Sequence, residues 1–171
     1  MPEPIVPDSY WVTDTFAAGE YPGARLASAA EQRVRTFERA GVTHFVDLTH
    51  PSDFLAPYET FLRSARRASH PIVDNGVPTV TEMEATLEAI DVALSDGETV
   101  YVHCWGGIGR TGLVVGCWLV CHGHSYDEAI ELIRQCRLGT PDFARDPRAP
   151  QTDAQHRFVR GWEPRREAGR R

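Results

Sequence analysis

The sequence predicts a single α/β domain with a central, mostly parallel, twisted sheet of about four or five strands and helices on both faces. Short apolar runs rich in β-favouring residues alternate along the chain with amphipathic helical patterns. The chain has 171 residues, 42% of them hydrophobic, which suffices to bury one substantial core. No internal repeat and no shift in composition separates a second domain.

Four segments carry the aromatic, apolar and β-branched residues that strands favour. Tyr10–Ala18 is long enough for one strand or a short strand pair, and Val42–Leu48 is the next candidate. His70–Val73 is a short apolar piece that runs into a loop, and Val100–His103 is the last strand. Because ligands bind beyond the carboxyl ends of parallel strands, the residues that follow these segments are candidates for a site.

Two helices are predicted from the spacing of apolar residues alone. Ala27–Ala40 has Ser28 as a candidate N-cap and Gly41 as its stop. Tyr58–Ala68 is predicted as a second helix with arginines facing outward. Its inward-facing residues would be Phe61, Leu62 and Ala65.

Three more helices begin with the pattern of a capping box, in which a Ser or Thr is followed three residues later by Glu or Gln. The boxes are Thr81 with Glu84, Ser125 with Glu128, and Thr152 with Gln155. Thr111–Cys121 is an apolar run long enough for a buried helix. Leu138–Pro150, rich in Pro, Asp and Arg, is predicted to be a loop.

The predicted domain covers residues 10–163, after an extended arm at residues 1–9 and before a charged tail at 164–171 that we expect to be disordered. No apolar run reaches about 18 residues, so no membrane insertion is expected. The N-terminus lacks the basic segment and apolar core of a signal peptide, so the expected location is cytoplasmic. The net charge of −6 disfavours nucleic-acid binding, and the absence of lysine excludes Schiff-base chemistry.

The stretch from Val100 to Gly112, VYVHCWGGIGRTG, combines a strand, a glycine-rich turn and the start of a helix. Such a turn binds anions because its backbone N–H groups and the helix N-terminus point at the bound group. Cys104 is the candidate nucleophile, and the helix N-terminus and nearby guanidinium favour its thiolate form. The predicted phosphate-binding residues are Trp105, Gly106, Gly107, Ile108, Gly109 and Arg110.

If the bound anion is a phosphate monoester, its hydrolysis needs a proton donor for the leaving oxygen in addition to the nucleophile and the cation. Asp74 is the best candidate because it follows a short apolar segment in a loop that contains Gly76 and Pro78, and such a loop can close over a bound phosphate. Asp-Asn-Gly is also good turn chemistry, which leaves a structural role open for Asp74. Asp53, in the loop that follows the Val42–Leu48 strand candidate, is the alternative candidate for the proton donor.

The string His103-Cys104-(five residues)-Arg110-Thr111-Gly112 resembles the active-site loop of the cysteine-dependent protein tyrosine and dual-specificity phosphatases. Pro71-Ile72-Val73-Asp74, followed by Val77-Pro78, resembles the general-acid loop of small dual-specificity phosphatases. The likeness is greatest to the kinase-associated phosphatase group and its bacterial relatives. The resemblance implies a phosphocysteine at Cys104, acid and base catalysis by Asp74, and a hydrogen bond from Thr111 to the thiolate.

Two residues are expected to support this chemistry. His103 would orient the loop through hydrogen bonds. Gln155 is either a capping residue or, as the resemblance implies, the residue that positions the attacking water. Cys117 and Cys121 lie one helical turn apart in an apolar run and are expected to be core residues.

The predicted function is therefore the hydrolysis of phosphotyrosine in a protein or peptide substrate, with phosphoserine and phosphothreonine as further candidates. No metal or cofactor is expected. A phosphoinositide or inositol-phosphate phosphatase is an alternative, which the absence of lysine in the Cys104 loop disfavours. A pseudophosphatase that binds phosphate without turnover is a second alternative. The sequence makes no prediction about oligomeric state.

Overall fold

Five strands form one sheet in the order β1-β2-β5-β3-β4 in the computed structural model, which describes residues 3–162. The strands are β1 (Ser9–Trp11), β2 (Phe16–Gly19), β3 (His44–Asp47), β4 (Arg66–Ser69) and β5 (Val100–His103). β1 pairs antiparallel with β2, and every other pair is parallel. The predicted fold class is therefore confirmed, and Tyr10–Ala18 forms the strand pair, one of the two alternatives predicted for it. The predicted tail lies outside the described residues.

Helices cover both faces of this sheet. They are α1 (Ala27–Arg39), α2 (Val80–Ser95), α3 (Gly109–Cys121), α4 (Tyr126–Arg137), α5 (Pro141–Arg145) and α6 (Asp153–Arg160). The side chains of β5 alternate between the faces: Val100 and Val102 pack with α2, α3, α4 and α6, whereas Tyr101 packs with α1. The central strand is therefore buried on both sides, which explains its uninterrupted apolar sequence.

The central helix α3 is buried along nearly its whole length and packs closely on α6. A Cβ at Gly116 would lie 3.1 Å from both methyl groups of Val159, so a larger residue would crowd Val159 at this close approach. The contact brings the N-terminus of α6 beside the N-terminus of α3. As a result, residues near position 155 reach the same end of the sheet as Cys104.

Three parallel strands end at the same level. Gly19 of β2 and Asp47 of β3 are both in register with His103, the last residue of β5. The chain leaves each strand at this edge, where the Cys104 loop begins. The strand register thus places the candidate site where the sequence predicted it.

The prediction of a helix at Tyr58–Ala68 is wrong. The chain forms a short 3-10 turn at Glu59–Phe61 and then the edge strand β4. The strand pairs with β3, and Arg67 of β4 forms an ion pair with the buried Asp47, with Arg67 Nε 2.8 Å from Asp47 Oδ2. These long-range contacts outweigh the local helical pattern of this polar segment.

Two helix starts also differ from prediction. α1 begins after Leu26, which provides no side-chain cap, so Ser28 lies inside the helix. α2 begins after Thr79, whose box partner is Glu82, because the earlier start lets Val80 pack against the core. The boxes at Ser125 and Thr152 are confirmed.

The remaining differences concern irregular segments. The predicted arm bends into a turn in its described part, where Val6 is buried and its carbonyl accepts a hydrogen bond from Ser9 N. His70–Val73 forms no strand, although Ile72 N donates to Leu48 O and keeps the segment at the sheet edge. The predicted loop before α6 contains the short helix α5. None of the helices in residues 3–162 is long and apolar enough to cross a bilayer.

Thr79→Ala tests the observed start of α2. The substitution removes the side-chain oxygen that accepts the Glu82 N–H, and we expect the free energy of unfolding to fall by about 1 kcal/mol. Thr81→Ala is the matched control, because Thr81 is exposed inside the helix and should change stability by less than about 0.5 kcal/mol. Urea unfolding measures both. A larger loss for Thr81→Ala would contradict the assignment.

Candidate active site

Cys104 lies at the bottom of a cavity at the carboxyl edge of the sheet. Its side chain is nearly buried, and the cavity has a volume of about 450 Å³. The lining includes Cys104, Trp105, Arg110, Asp74, Glu20 and Gln151. The predicted nucleophile, cation and acid, which are up to thirty-six residues apart in the sequence, therefore meet in one cleft.

The loop presents unused hydrogen-bond donors to this cavity. Within residues 3–162, no hydrogen bond uses a backbone N–H from residue 105 to residue 111 as its donor. The first N–H groups of a helix have no partner inside the helix, and here α3 begins at Gly109. The loop and the helix N-terminus together can therefore bind a group with several negatively charged oxygens.

The shape of the loop depends on a close approach to β2. Gly107 has φ +76°, and a Cβ there would lie 2.6 Å from Glu20 N and 2.7 Å from Gly19 O. The carbonyl of Trp105 accepts a hydrogen bond from Tyr21 N at 2.8 Å, which fixes the loop on the segment that follows β2. Only a glycine satisfies both the backbone angle and the space at position 107.

Arg110 is anchored along one side of its guanidinium. Nη1 donates to Asp53 Oδ2 at 2.6 Å and to Ile72 O at 3.0 Å, and Nη2 lies 3.2 Å from Asp74 Oδ1. Nε is buried and has no hydrogen-bond partner among the described residues. The Nε–Nη2 edge is therefore the part of the side chain with donor capacity to spare, and it can form the bidentate contact that an oxyanion favours.

The charges around Arg110 keep it protonated. Burial alone would lower the pKa of the Arg110 guanidinium, but Cys104, Asp53 and Asp74 raise it above its ordinary value. The side chain of Arg110 is only 2% exposed and that of Asp53 only 7% exposed. Sequence reasoning treated Asp53 as the rival acid and missed this contact, because the two residues are 57 positions apart.

Asp74 lies in an exposed turn above the cavity. Its side chain is 52% exposed, and Oδ2 accepts a hydrogen bond from Asn75 Nδ2 at 3.0 Å. The turn is closed by Gly76 N, which donates to Val73 O, and Asn75 has φ +59°. Asp74 thus has both features that the sequence suggested, since it belongs to a tight turn and reaches the candidate site.

His103 supports the loop from beneath. Its ring is buried, Nδ1 lies 3.2 Å from Cys104 O, and Nε2 lies 2.8 Å from the Tyr58 hydroxyl. A carbonyl only accepts, so Nδ1 carries the hydrogen and Nε2 accepts from Tyr58. Burial lowers the pKa of His103, and Asp47 opposes that shift, which is consistent with a neutral ring. This geometry is consistent with the orienting role predicted for His103.

Asp47 completes the support beneath His103. Burial alone would raise the pKa of Asp47, but His103, Thr49 and Arg67 lower it below its usual value. The Asp47 carboxylate lies 3.8 Å from His103 Nδ1 and accepts hydrogen bonds from Thr49 and Arg67. The position of the Cys104 carbonyl thus depends on a network that extends to the edge strand β4.

Two predicted site residues have surroundings that the sequence did not indicate. Thr111 is fully buried, but its Oγ1 has no hydrogen-bond partner within residues 3–162, so the expected bond to Cys104 is not formed here. Gln155 forms the capping box of α6 and also donates a hydrogen bond from Nε2 to Gly76 O at 3.1 Å. Gln155 therefore joins α6 to the turn that carries Asp74.

The fold and the cleft together define an α/β domain with an anion-binding loop that holds a cysteine and an arginine. The chain matches the family model described as the "Swiss Army Knife protein, DSP-PTPase phosphatase domain" over residues 23–159. The chain therefore belongs to this dual-specificity and protein tyrosine phosphatase family.

Relatives of known name are consistent with this assignment. "Putative tyrosine phosphatase 067L" of Invertebrate iridescent virus 3 is 34% identical over 116 residues, covering 65% of this chain and 45% of the viral protein. The Arabidopsis thaliana phosphatidylinositol 3,4,5-trisphosphate 3-phosphatase and protein-tyrosine-phosphatase PTEN1 is 25% identical, covering 91% of this chain and 37% of the plant protein. The chain thus spans less than half the length of either relative.

A solved structure shows the same fold. It is that of a kinase associated phosphatase whose catalytic site cysteine is substituted by serine. The TM-score is 0.74 at 18% sequence identity, with 98% of this chain and 99% of that chain covered. At this identity the likeness concerns the fold alone.

Gly107→Ala tests whether the close approach to β2 shapes the anion site. An alanine at this φ would collide with the β2 backbone and displace the loop, so we expect orthovanadate affinity to fall by about tenfold or more. Isothermal titration calorimetry measures the affinity. Gly97→Ala is the matched control, since Gly97 also has positive φ but has no neighbour within 4 Å. Equal loss in both variants would contradict the explanation.

Proposed function

We propose that this domain is a phosphoprotein phosphatase that hydrolyses phosphotyrosine through a phosphocysteine at Cys104. The observation that carries the proposal is the convergence of Cys104, Arg110 and Asp74 on one cavity beneath unused backbone N–H groups. These groups can supply the three things that the reaction needs: a nucleophile, positive charge around the phosphoryl oxygens, and a proton for the leaving oxygen.

In the first step, the Cys104 thiolate attacks phosphorus. A sulfur–phosphorus bond forms while the bond from phosphorus to the tyrosyl oxygen breaks. Arg110 and the N–H groups of residues 105–110 bind the phosphoryl oxygens, where negative charge must be held throughout. Asp74 gives its proton to the leaving tyrosyl oxygen, so that neutral tyrosine departs.

In the second step, water hydrolyses the phosphocysteine. Asp74, now a carboxylate, takes a proton from the water as its oxygen attacks phosphorus. The sulfur–phosphorus bond breaks, and phosphate and the thiolate are released. The buried hydroxyl of Thr111 is one residue from Arg110, and in this proposal it turns toward the departing sulfur to stabilise it.

The charge of the cleft favours a substrate with one phosphate. Among residues 3–162, its lining includes the carboxylates of Asp8, Glu20, Asp74 and Asp142, but only two cations, Arg110 and Arg145. Arg145 already pairs with Asp8 and Asp142. A multiply phosphorylated inositol ring would bring further negative charge against these carboxylates. A singly phosphorylated side chain avoids that repulsion.

The surroundings of the cleft also suit a protein substrate. Trp105 is 62% exposed at the mouth, and Phe54 is 93% exposed beside it. A second cavity of about 490 Å³ adjoins the first and shares Trp105 and Glu20 with it. Exposed aromatic residues beside a groove can contact the residues that flank a phosphorylated side chain. These features support a peptide segment as the substrate.

The mechanism needs a reduced thiol. All four cysteines are free, and Cys104 can attack only as a thiolate. A cytoplasmic location, where thiols remain reduced, is therefore part of the proposal.

Hydrolysis of aryl phosphates in EDTA tests the mechanism. We expect Cys104→Ser to reduce turnover to the level of the protein-free reaction, because no phosphocysteine can form. Asp74→Asn should lower kcat/KM for phenyl phosphate, a poor leaving group, by about 100-fold or more. The loss should be much smaller for 4-nitrophenyl phosphate, whose leaving group departs without a proton.

Four outcomes would contradict the proposed function or its mechanism. Activity that survives in Cys104→Ser would exclude the phosphocysteine, and activity lost in EDTA would indicate a metal-dependent reaction. If Asp53→Asn, rather than Asp74→Asn, abolished the leaving-group dependence, Asp53 would be the acid. A chain that binds orthovanadate but turns over neither ester would be a phosphate-binding module.

A substrate panel tests the preference for phosphoproteins. We expect kcat/KM for a phosphotyrosyl peptide to exceed that for a soluble phosphoinositide by about tenfold or more, because each further phosphate meets the carboxylates of the cleft. Phosphoseryl and phosphothreonyl peptides belong in the same panel. Faster release of phosphate from the phosphoinositide would favour the alternative function.

A further inference from the structure

The buried amide of Gln155 links two parts of the cleft that are distant in sequence. Its Oε1 accepts hydrogen bonds from the backbone N–H groups of Gln151 and Thr152, both at 3.1 Å. These two donors require an oxygen at that position, which fixes the orientation of the amide. The nitrogen must then face the other way, where Nε2 donates to Gly76 O at 3.1 Å.

The turn that carries Asp74 has few other attachments. It lies between the buried residues Ile72 and Pro78, and residues 73–77 are exposed or only partly buried. Among the described residues, the bond from Gln155 is the one hydrogen bond that joins the backbone of residues 73–77 to the rest of the chain. The same turn is closed internally by Gly76 N and Val73 O. A bond to Gly76 therefore holds the whole turn.

The other attachment of the turn is electrostatic and cannot persist through the reaction. Asp74 pairs with Arg110, but the proposed acid is the protonated, neutral form of Asp74. A phosphate bound to Arg110 also cancels the positive charge that attracts the Asp74 carboxylate. The bond between Gln155 and Gly76 joins two neutral groups and depends on neither charge. It remains available when the ion pair is lost.

We propose that Gln155 is a positioning residue that holds the Asp74 turn over the cleft through Gly76 while Asp74 is protonated. The inference rests on the proposed function, because it assigns a partner to the acid of that reaction. It differs from the water-positioning role that family resemblance implies for Gln155. A water-positioning residue acts only on the second step, whereas a residue that holds Asp74 also acts on the first.

Leaving-group dependence separates these roles. The ratio kcat/KM covers the steps up to cleavage of the ester bond, so slower hydrolysis of the phosphocysteine does not change it. We expect Gln155→Glu and Gln155→Met to lower kcat/KM for phenyl phosphate by about tenfold, part of the contribution of a general acid. The value for 4-nitrophenyl phosphate should change less than about twofold. The Gln155→Glu variant keeps a side-chain oxygen that can cap α6 but loses the N–H that donates to Gly76 O.

Thr152→Ala is the matched control for the loss of the helix cap. It removes the Thr152 oxygen that accepts the Gln155 N–H but leaves the bond to Gly76 in place. We expect its melting temperature to fall by about 2–4 °C, with the ratio between the two esters unchanged. If Thr152→Ala reproduced the effect of the Gln155 variants, the helix cap would be the cause and the proposal would be wrong.

Hydrogen exchange provides a readout that does not depend on activity. We expect the backbone amide of Gly76, which donates to Val73 O, to exchange faster in Gln155→Met than in wild type or Thr152→Ala, because the turn opens more often. Unchanged exchange there would overturn the proposal, as would a normal kcat/KM for phenyl phosphate. A burst of phenol followed by slow turnover, with kcat/KM preserved, would assign Gln155 to the water step instead. Failure of the wild type to hydrolyse either ester would refute the proposed function, whereas the exchange result would still decide whether Gln155 holds the turn.

Discussion

The Cys104 loop rests directly on the backbone at the end of β2, and the rest of the cleft depends on that contact. Because Gly107 has no side chain, the loop can turn against Gly19 and Glu20 and accept the Tyr21 N–H at its Trp105 carbonyl. The turn directs the chain into α3 with its first N–H groups unused. Strand register, loop shape and helix start therefore form one unit, in which backbone N–H groups supplement the positive charge of Arg110 at the candidate anion site.

The charge balance of the site is set by Arg110 and its two carboxylates. Asp53 holds one end of the guanidinium in a nearly buried position, while Asp74 approaches from an exposed turn. The Arg110–Asp53 ion pair is screened from water. The Arg110–Asp74 ion pair is open to solvent, and a bound phosphate can replace it. Asp53 thus serves to orient the cation, whereas Asp74 is the carboxylate to which the proposed mechanism gives proton transfer.

Features encoded by neighbouring residues were predictable, and features that depend on distant residues were not. The strand, loop and helix around Cys104, and the boxes at Ser125 and Thr152, follow from local patterns. The edge strand β4 was missed because its arginines match a polar helix surface, and only pairing with β3 decides between the alternatives.

Two overlapping capping boxes, at Thr79 and Thr81, satisfy the same local rule, and packing of Val80 selects the first. The Asp53–Arg110 and Gln155–Gly76 bonds span 57 and 79 residues, beyond any local pattern.

The position of α6 at the end of the described chain affects the order in which the domain folds during synthesis. Gln155 lies near the C-terminal end of the described chain, yet its hydrogen bond reaches Gly76. Asp142, whose backbone N–H bonds to Asp8 across 134 residues, likewise joins late and early segments beside the same cavity. Contacts of such separation form only after the intervening chain has closed its loops. During synthesis all five strands emerge before α3, α4 and α6, so one face of the sheet is only partly covered and the cleft is incomplete until α6 follows. A nascent chain would therefore complete its core and its cleft together, when α6 packs against α3.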